Sequence, residues 1–318
     1  MSQTISIVSP FYNEAESLKA FIEMISSEQD ALRALDVELL EVILVNDGST
    51  DHSIEVLHSI TNPKMRIHVI DLARNFGKEY AMLAGLQAAR GDAVILMDSD
   101  CQHPASYIPT FIEHWREGYD IVYTYKQNRK SEGPLKRLGV NLYYKLMNFI
   151  SSSDIQKDAS DFRLMDRRAL DAFLQLPERA RFSKGLFSWV GFKQMAIPYT
   201  PNKRKFGKTK FSSLKLLTFG LTGAVSFSVR PLRMASFLGF IVALPAFLWA
   251  AKILYSKIFL GEPFRGYPAV LSAVLFMSGI QFILIGILGE YIGQIHREVK
   301  GRPNFIIADE FIIEEDLS

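Results

Sequence analysis

Cysteine is nearly absent from this chain: Cys101 is alone among 318 residues. That excludes an intrachain disulfide and a cysteine-based zinc cluster, and it fits a reducing compartment. The glycine fingerprints of common nucleotide folds are missing too. No Gly-x-Gly-x-x-Gly occurs, and Gly207-Lys-Thr209 imitates only the end of a Walker loop, because Asn202 stands where its first glycine is required. No internal repeat or low-complexity tract appears. Residues 1–9 have no cationic start, so no signal peptide is expected. Charge of one sign is lacking overall, with 36 Lys+Arg against 34 Asp+Glu, and nothing in that balance calls for nucleic acid.

What is present is unevenly placed. Residues 203–233 hold eight Lys/Arg and no acid, whereas Asp309, Glu310, Glu314, Glu315 and Asp316 crowd the C-terminus. Two uncharged apolar runs follow the basic stretch, Met234–Ala251 and Gly266–Gly289. As helices they span roughly 27 and 36 Å, against a hydrocarbon core of about 30 Å. We read two transmembrane helices, about 234–256 and 266–289, within a segment 232–295. Two buried core helices are the alternative. Basic flanks put both termini in the cytoplasm and the short loop Lys252–Arg265 outside.

The first 125 residues alternate apolar runs with helical patterns. Ile5–Ser9, Glu41–Val45, Ile67–Asp71, Ala93–Met97 and Ile121–Tyr125 read as buried strands. Glu14–Ile25, Ser53–Ile60, Lys78–Ala89 and Ser106–Glu117 read as helices between them. This alternation predicts an α/β domain with a mostly parallel, Rossmann-like sheet over residues 1–210. Ligands of such sheets bind at the carboxyl ends of strands. Three polar loops stand there: Pro10-Phe-Tyr-Asn-Glu14, Asn46-Asp47-Gly-Ser-Thr-Asp51 and Asp98-Ser-Asp100-Cys-Gln102. In an extended segment Asp98, Asp100 and Gln102 would share one side. Two carboxylates and an amide oxygen are hard ligands suited to Mg²⁺ or Mn²⁺, a cation that completes its shell with water and substrate phosphates. A capped turn for residues 46–51 and a solvated acidic turn for 98–102 are the plainer readings.

Beyond the sheet, Leu135, Leu138, Leu142, Leu146 and Phe149 recur at helical spacing among basic residues. The stretch 134–150 therefore reads as an amphipathic helix for the membrane surface, or one packed on the α/β core. Residues 211–231 read as a second interfacial helix, and 296–318 as a cytoplasmic tail. Gly289-x-x-x-Gly293 permits close helix approach and with it a homo-oligomer.

The motifs Pro10-Phe-Tyr-Asn-Glu14, Val45-Asn-Asp-Gly-Ser-Thr-Asp51, Arg74-Asn-Phe-Gly-Lys78, Asp98-Ser-Asp100-Cys-Gln102 and Asp161-Phe-Arg-Leu-Met165 together resemble family 2 glycosyltransferases of the GT-A fold. Their pattern is closest to the polyprenyl-phosphate sugar transferases, which include dolichyl-phosphate mannose synthase and the bactoprenol glucosyltransferases. Phe264-Arg-Gly-Tyr-Pro268, Gly279-Ile-Gln281, Gly289-Glu-Tyr-Ile-Gly293 and Arg302-Pro303 resemble the bactoprenol branch. Asn46 stands where many members carry Asp. The resemblance implies an inverting, metal-dependent transfer from a nucleotide sugar, with UDP-glucose the first choice, to undecaprenyl phosphate at the bacterial inner membrane. UDP-galactose, a UDP-N-acetylhexosamine, a UDP-modified arabinose and GDP-mannose are alternative donors. It places the nucleotide against Pro10, Tyr12, Glu14 and Asp47, shares Asp98 between ribose and metal, and gives Asp100 and Gln102 to the metal. Asp161 matches the candidate base, with Arg163 beside it; a helix N-cap before Arg167–Leu176 is its plainer role. Because a lipid phosphate with a second pKa near ~6 is largely dianionic at neutral pH, Asp161 has less need to act as a base and is read as orienting the sugar or a cation. Two anionic substrates need further cations, and Arg129, Lys205, Lys208 and Lys210 are the candidates for phosphate binding, unless they serve only as membrane flanks. A processive polysaccharide synthase is disfavoured because Gln-x-x-Arg-Trp is absent; a non-catalytic nucleotide-sugar sensor is disfavoured by the intact acidic residues.

Overall fold

In the computed structural model, residues 2–61, 63–126, 159–179, 181, 183–202, 230–260 and 266–314 are described. The amphipathic stretch 134–150, the second interfacial stretch, apart from its last two residues, and Arg129, Lys205, Lys208 and Lys210 lie outside them. The chain divides into two compact units.

The first unit is built on eight strands: β1 (Gln3–Phe11), β2 (Val37–Asn46), β3 (Ile67–Leu72), β4 (Ala93–Leu96), β5 (Ile121–Lys126), β6 (Ala159–Asp166), β7 (Gln194–Tyr199) and β8 (Ile307–Ile313). They form one sheet in the order β7-β5-β6-β4-β1-β2-β3-β8. The helices are α1 (Leu18–Ser26), α2 (Gln29–Ala34), α3 (Ser53–His58), α4 (Lys78–Ala88), α5 (Ile108–Arg116), α6 (Arg167–Leu174) and α7 (Ser183–Trp189). All five expected strands form. The core is the parallel set β4-β1-β2-β3, and Ile5, Ile7, Val42, Leu44, Val69 and Ile95 are fully buried in it. Strands covered on both faces need near-continuous apolar runs, which is what these segments supply. Helix α4 packs close on β1 and β2: a Cβ at Gly85 would come 2.4 Å from Val8 Cγ1 and 2.9 Å from Val45 Cγ2, so a side chain there has no room.

Three strands were not anticipated, and they make the sheet mixed rather than mostly parallel. β6 runs antiparallel between β4 and β5, β7 runs parallel to β5 at one edge, and β8 runs antiparallel to β3 at the other. The C-terminal segment is therefore not simply a tail. Its strand is pinned to β3 by His68 Nε2 at 2.5 Å from Glu310 Oε1 and by Arg66 Nη1 at 2.9 Å from Glu314 Oε1. Phe311 also stacks on His58, with centroids 4.3 Å apart.

Chain order fixes where a ligand can enter. The chain leaves β1 toward β2 and β3, then crosses back to place β4 on the other side of β1. Loops after β1 and β4 diverge at such a switch point and leave a crevice.

The second unit contains two long helices, α8 (Arg230–Leu260) and α9 (Tyr267–Val299). Both run beyond the expected limits. They touch where Gly239 lies close to Leu284, 3.8 Å from a Cβ placed on the glycine. Large apolar side chains, including Phe237, Phe247, Trp249, Phe276 and Phe282, stay exposed along them. Among the described residues one segment, Phe276–Val299, is long and apolar enough to cross a membrane; Gly239–Trp249 is apolar but shorter.

Candidate active site

The first two loops are laced together before any ligand is considered. Asn13, at φ 54°, donates its backbone N–H to Ser49 Oγ (2.8 Å) and accepts at Oδ1 from the Thr50 N–H (2.8 Å). Asparagine tolerates that left-handed conformation better than most residues. The Glu14 and Ala15 N–H groups donate to Ser53 Oγ and Asp51 Oδ2. Asp51 also accepts the N–H and hydroxyl of Ser53, the first residue of α3, and although burial opposes its charge, these hydrogen bonds hold its carboxyl below the usual range. The capping reading of residues 46–51 does not hold, because His52 occupies the cap position of α3 and no side chain caps it; Glu14 precedes α1, which starts at Leu18.

Asp47 is spent on scaffolding. It is 4% exposed, and its carboxylate accepts the backbone N–H of Phe76 (2.7 Å) and of Gly77 (3.1 and 3.0 Å). Burial pushes its carboxyl above the ordinary range, against the pull of these two amides and Arg74. Next to it Gly48 has φ +64°, and a Cβ there would meet the Arg74 carbonyl carbon at 2.4 Å. The second loop therefore carries the 74–77 loop on its back and fixes where α4 begins.

The third loop is a turn, not an extended segment. β4 ends at Leu96, Ser99 and Asp100 form the turn, and Cys101 takes φ 57°. Asp98, Asp100 and Gln102 consequently do not share a side through strand periodicity. Asp100 and Gln102 are joined instead because Asp100 folds back to accept the Gln102 N–H (3.1 Å) and its side-chain Nε2 (2.8 Å), while Asp98 turns to Lys78. Asn202, following β7, donates to the Gln102 and Cys101 carbonyls and holds the turn down.

Asp161 is a strand residue of β6, not a helix cap; the cap of α6 is Asp166, whose side chain accepts from the Arg168 N–H. Register explains what Asp161 meets. Leu96, the last residue of β4, pairs with Arg163 across the antiparallel β4–β6 ladder, so the segments that carry Asp98 and Asp161 leave the ladder side by side. Between them stands Lys78, the first residue of α4, with Nζ 2.6 Å from Asp98 Oδ1 and 2.7 Å from Asp161 Oδ2. Burial works against the ammonium, but the charges of Asp161 and Asp98 outweigh it and hold its pKa above the usual lysine range. Side-chain exposures of 45% for Lys78, 29% for Asp98 and 17% for Asp161 leave all three reachable from solvent.

Arg163 lies elsewhere. It is buried, donates from Nη2 to the Ser160 carbonyl (2.8 Å), and rests 3.8 Å over the Phe187 ring. Burial pushes the guanidinium down to about 10, with Asp161 opposing. It belongs to the same strand as Asp161, two residues on, and its guanidinium is committed to the rings of Tyr123 and Phe187.

Three contributors were missed by reading the sequence. Lys78 stood in a quoted motif without a role. His103 accepts the Asp98 N–H at Nδ1 (3.1 Å), so its proton is on Nε2, which faces Ser160 Oγ at 3.0 Å; the imidazole ties the third loop to β6. Glu79 accepts from the N–H and hydroxyl of Ser183 and so holds the start of α7. No local signal marks a histidine that bridges a loop and a strand 57 residues away.

Among the described residues no group of three or more His, Cys, Asp and Glu is placed to enclose a metal ion. Two carboxylates and an amide fit a divalent ion finished by water and substrate oxygens, not a closed protein cage.

This crevice of a mixed GT-A-like sheet has its counterpart in known proteins. The family model for glycosyl transferase family 2 matches residues 6–174, and that for the GtrB C-terminal hairpin matches residues 230–295. The chain belongs to glycosyl transferase family 2 and is a glycosyltransferase. It is 39% identical over 309 residues to an uncharacterized glycosyltransferase of Synechocystis sp., covering 97% of this chain and 96% of that one. With the SfII prophage-derived bactoprenol glucosyl transferase of Shigella flexneri it shares 41% identity over 303 residues, 95% of this chain and 97% of the relative. With the prophage bactoprenol glucosyl transferase homolog of Escherichia coli the identity is 40% over 303 residues, 95% and 98% of the two chains.

Proposed function

We propose that this enzyme transfers glucose from UDP-glucose to undecaprenyl phosphate, with inversion, on the cytoplasmic face of a bacterial inner membrane. The observation that carries the reading is the meeting of Asp98 and Asp161 on one ammonium at the switch-point crevice, in a chain 40–41% identical to bactoprenol glucosyl transferases over 95% of its length. The exposed apolar faces of α8 and α9 support two membrane spans, with the catalytic unit on the side of the basic flanks.

In this reading a phosphate oxygen of the lipid attacks the anomeric carbon, the bond from that carbon to the diphosphate oxygen breaks, and its electron pair leaves with UDP. Pro10, Tyr12 and Glu14 line the nucleotide side, and Asp47 acts through the loop it supports. Asp98, Asp100 and Gln102 would hold a Mg²⁺ or Mn²⁺ ion, which would supply Lewis-acid stabilisation of the departing diphosphate. Asp161, paired with Lys78, orients the sugar next to the reacting carbon, and Arg163 supports its strand. Basic residues 129, 205, 208 and 210 serve the acceptor phosphate.

The test is purified full-length chain in detergent with undecaprenyl phosphate and a panel of radiolabelled nucleotide sugars. Label from UDP-glucose in the organic phase is the expected result. Label from another donor alone replaces the sugar; none from any donor removes the function.

A further inference from the structure

Lys78 is held more firmly than a solvent-facing lysine needs to be. Its backbone starts α4 directly after Gly77, whose φ of 104° and N–H bonds to Asp47 fix the entry to the helix. From that anchored point its ammonium reaches carboxylates on two different segments, the loop after β4 and strand β6. Asp98 and Asp161 both converge on this one ammonium with Asp100 close by in sequence, and a cation between such carboxylates offsets a repulsion that is unfavourable in a partly shielded crevice. An ammonium is a compact cation with three donors, and the two carboxylates engage two of them.

We propose that Lys78 is a built-in counter-ion that keeps the crevice assembled before a divalent ion binds, competes with that ion for Asp98, and on losing Asp98 turns its freed donor to substrate phosphate. The inference rests on the reading of Asp98 and Asp100 as cation ligands. Its reasoning is electrostatic. A divalent ion on Asp98 repels an ammonium already bonded to the same carboxylate, so each weakens the other's hold. Asp161 lies on the far side and keeps Lys78 in place through the exchange. Lys78 is in these terms a positioning residue for the empty site and a phosphate ligand in the loaded one.

The two roles predict opposite signs, which a merely structural lysine would not give. Mn²⁺ binding is measured by electron paramagnetic resonance on purified full-length chain in detergent, with and without UDP. Lys78→Gln should bind Mn²⁺ roughly tenfold more tightly than the wild type, because a competing charge a few ångströms away is gone. Lys78→Met, which keeps the stem and drops the charge, should do the same. Turnover of both at saturating Mn²⁺ should fall. Equal or weaker Mn²⁺ binding by both neutral variants, in a protein whose Asp100→Asn variant loses the ion, overturns the inference and leaves the metal reading standing. An Mn²⁺ affinity unchanged in Asp100→Asn, with and without UDP, overturns the metal reading itself and the competition with it.

Discussion

Asp47 offers the sharpest test of how this site is built, because two roles for it predict different measurements. A nucleotide ligand would be felt in donor affinity. The structure instead commits its carboxylate to the N–H groups of Phe76 and Gly77, at 2.7 to 3.1 Å, in surroundings where it is 4% exposed. Replacing it by Asn keeps the shape, removes the charge and turns one acceptor oxygen into a donor that faces the Gly77 amide. Hydrogen bonds to a charged acceptor contribute about 1.5–3 kcal/mol, against about 0.5–1.5 kcal/mol for neutral ones, and the Gly77 N–H loses one of its two acceptor oxygens to a facing donor. Some of this is returned because Asp47 is itself costly to ionise where it sits. A net loss of about 2 kcal/mol in the local stability of the 74–78 loop follows, equivalent to roughly 30-fold faster opening.

Hydrogen exchange on the detergent-solubilised chain reads this directly, in peptides covering residues 73–80. Asp47→Asn should speed exchange there by about that factor, with little change in β1 or β4. The maximum rate should fall, since Lys78 is delivered by the same loop, while KM for the donor moves less. Unchanged exchange in the loop together with a selective rise in donor KM would refute the scaffold and restore Asp47 to the nucleotide.

Three further outcomes are expected. Asp100→Asn, or wild type in EDTA, should lose at least about 100-fold in turnover with the fold retained; full activity in EDTA removes the metal from the reaction. Asp161→Asn should lower turnover by about 100-fold while donor affinity changes less, and an orienting role requires the shape of its pH–rate profile to survive; loss of the acidic limb would mark a titrating base instead. Glu41 is fully buried and accepts from Ser6 Oγ and from Arg90; although burial opposes its charge, these partners hold its carboxyl below the usual range. A carboxyl with a depressed folded pKa contributes stability above its unfolded value, about 4.3, that is lost as pH falls through the folded one. Glu41→Gln should therefore cost about 2 kcal/mol at neutral pH and flatten the decline in melting temperature below pH ~4.5, with the reaction at the opposite ends of the strands unaffected. A decline as steep in the variant as in the wild type would rule Glu41 out as its source.

The parallel core was legible because each of its strands is an apolar run closed by a polar loop, and strands buried on two faces cannot look otherwise. β6 escaped notice because Asp161, Arg163 and Asp166 interrupt it. Its apolar face is only Phe162 and Leu164, and burying Arg163 requires aromatic rings supplied by Tyr123 and Phe187. β7 carries Pro198, which fits an edge strand but reads locally as a break. β8 is mostly exposed and has no reason to be a strand except its partner β3, from which the side-chain contact of His68 with Glu310 spans 242 residues. Site residues fared similarly. Carboxylates after strands could be found by position, whereas the ion pair from Lys78 to Asp161 joins groups 83 residues apart, and no periodicity records that.

The acids at this edge of the sheet separate into two kinds by what holds them. Asp47 and Asp51 are gripped by backbone N–H groups of neighbouring loops, donors that cannot leave without unfolding the loop. Asp98 and Asp161 are held by a flexible ammonium, and Asp100 by a side-chain amide as well as one N–H. Partners of the second kind can swing away at the cost of one rotamer change and be replaced by a cation or a sugar hydroxyl. A carboxylate's position after a strand thus says that it lies near the crevice, but the mobility of its partner decides whether it is available to a ligand. By that criterion the residues most open to exchange are Asp98 and Asp161, with one oxygen of Asp100 committed to the Gln102 N–H and the other held by its side-chain amide, and the rigidity that presents them comes from Asp47, Asp51 and His103, which a substrate need never touch.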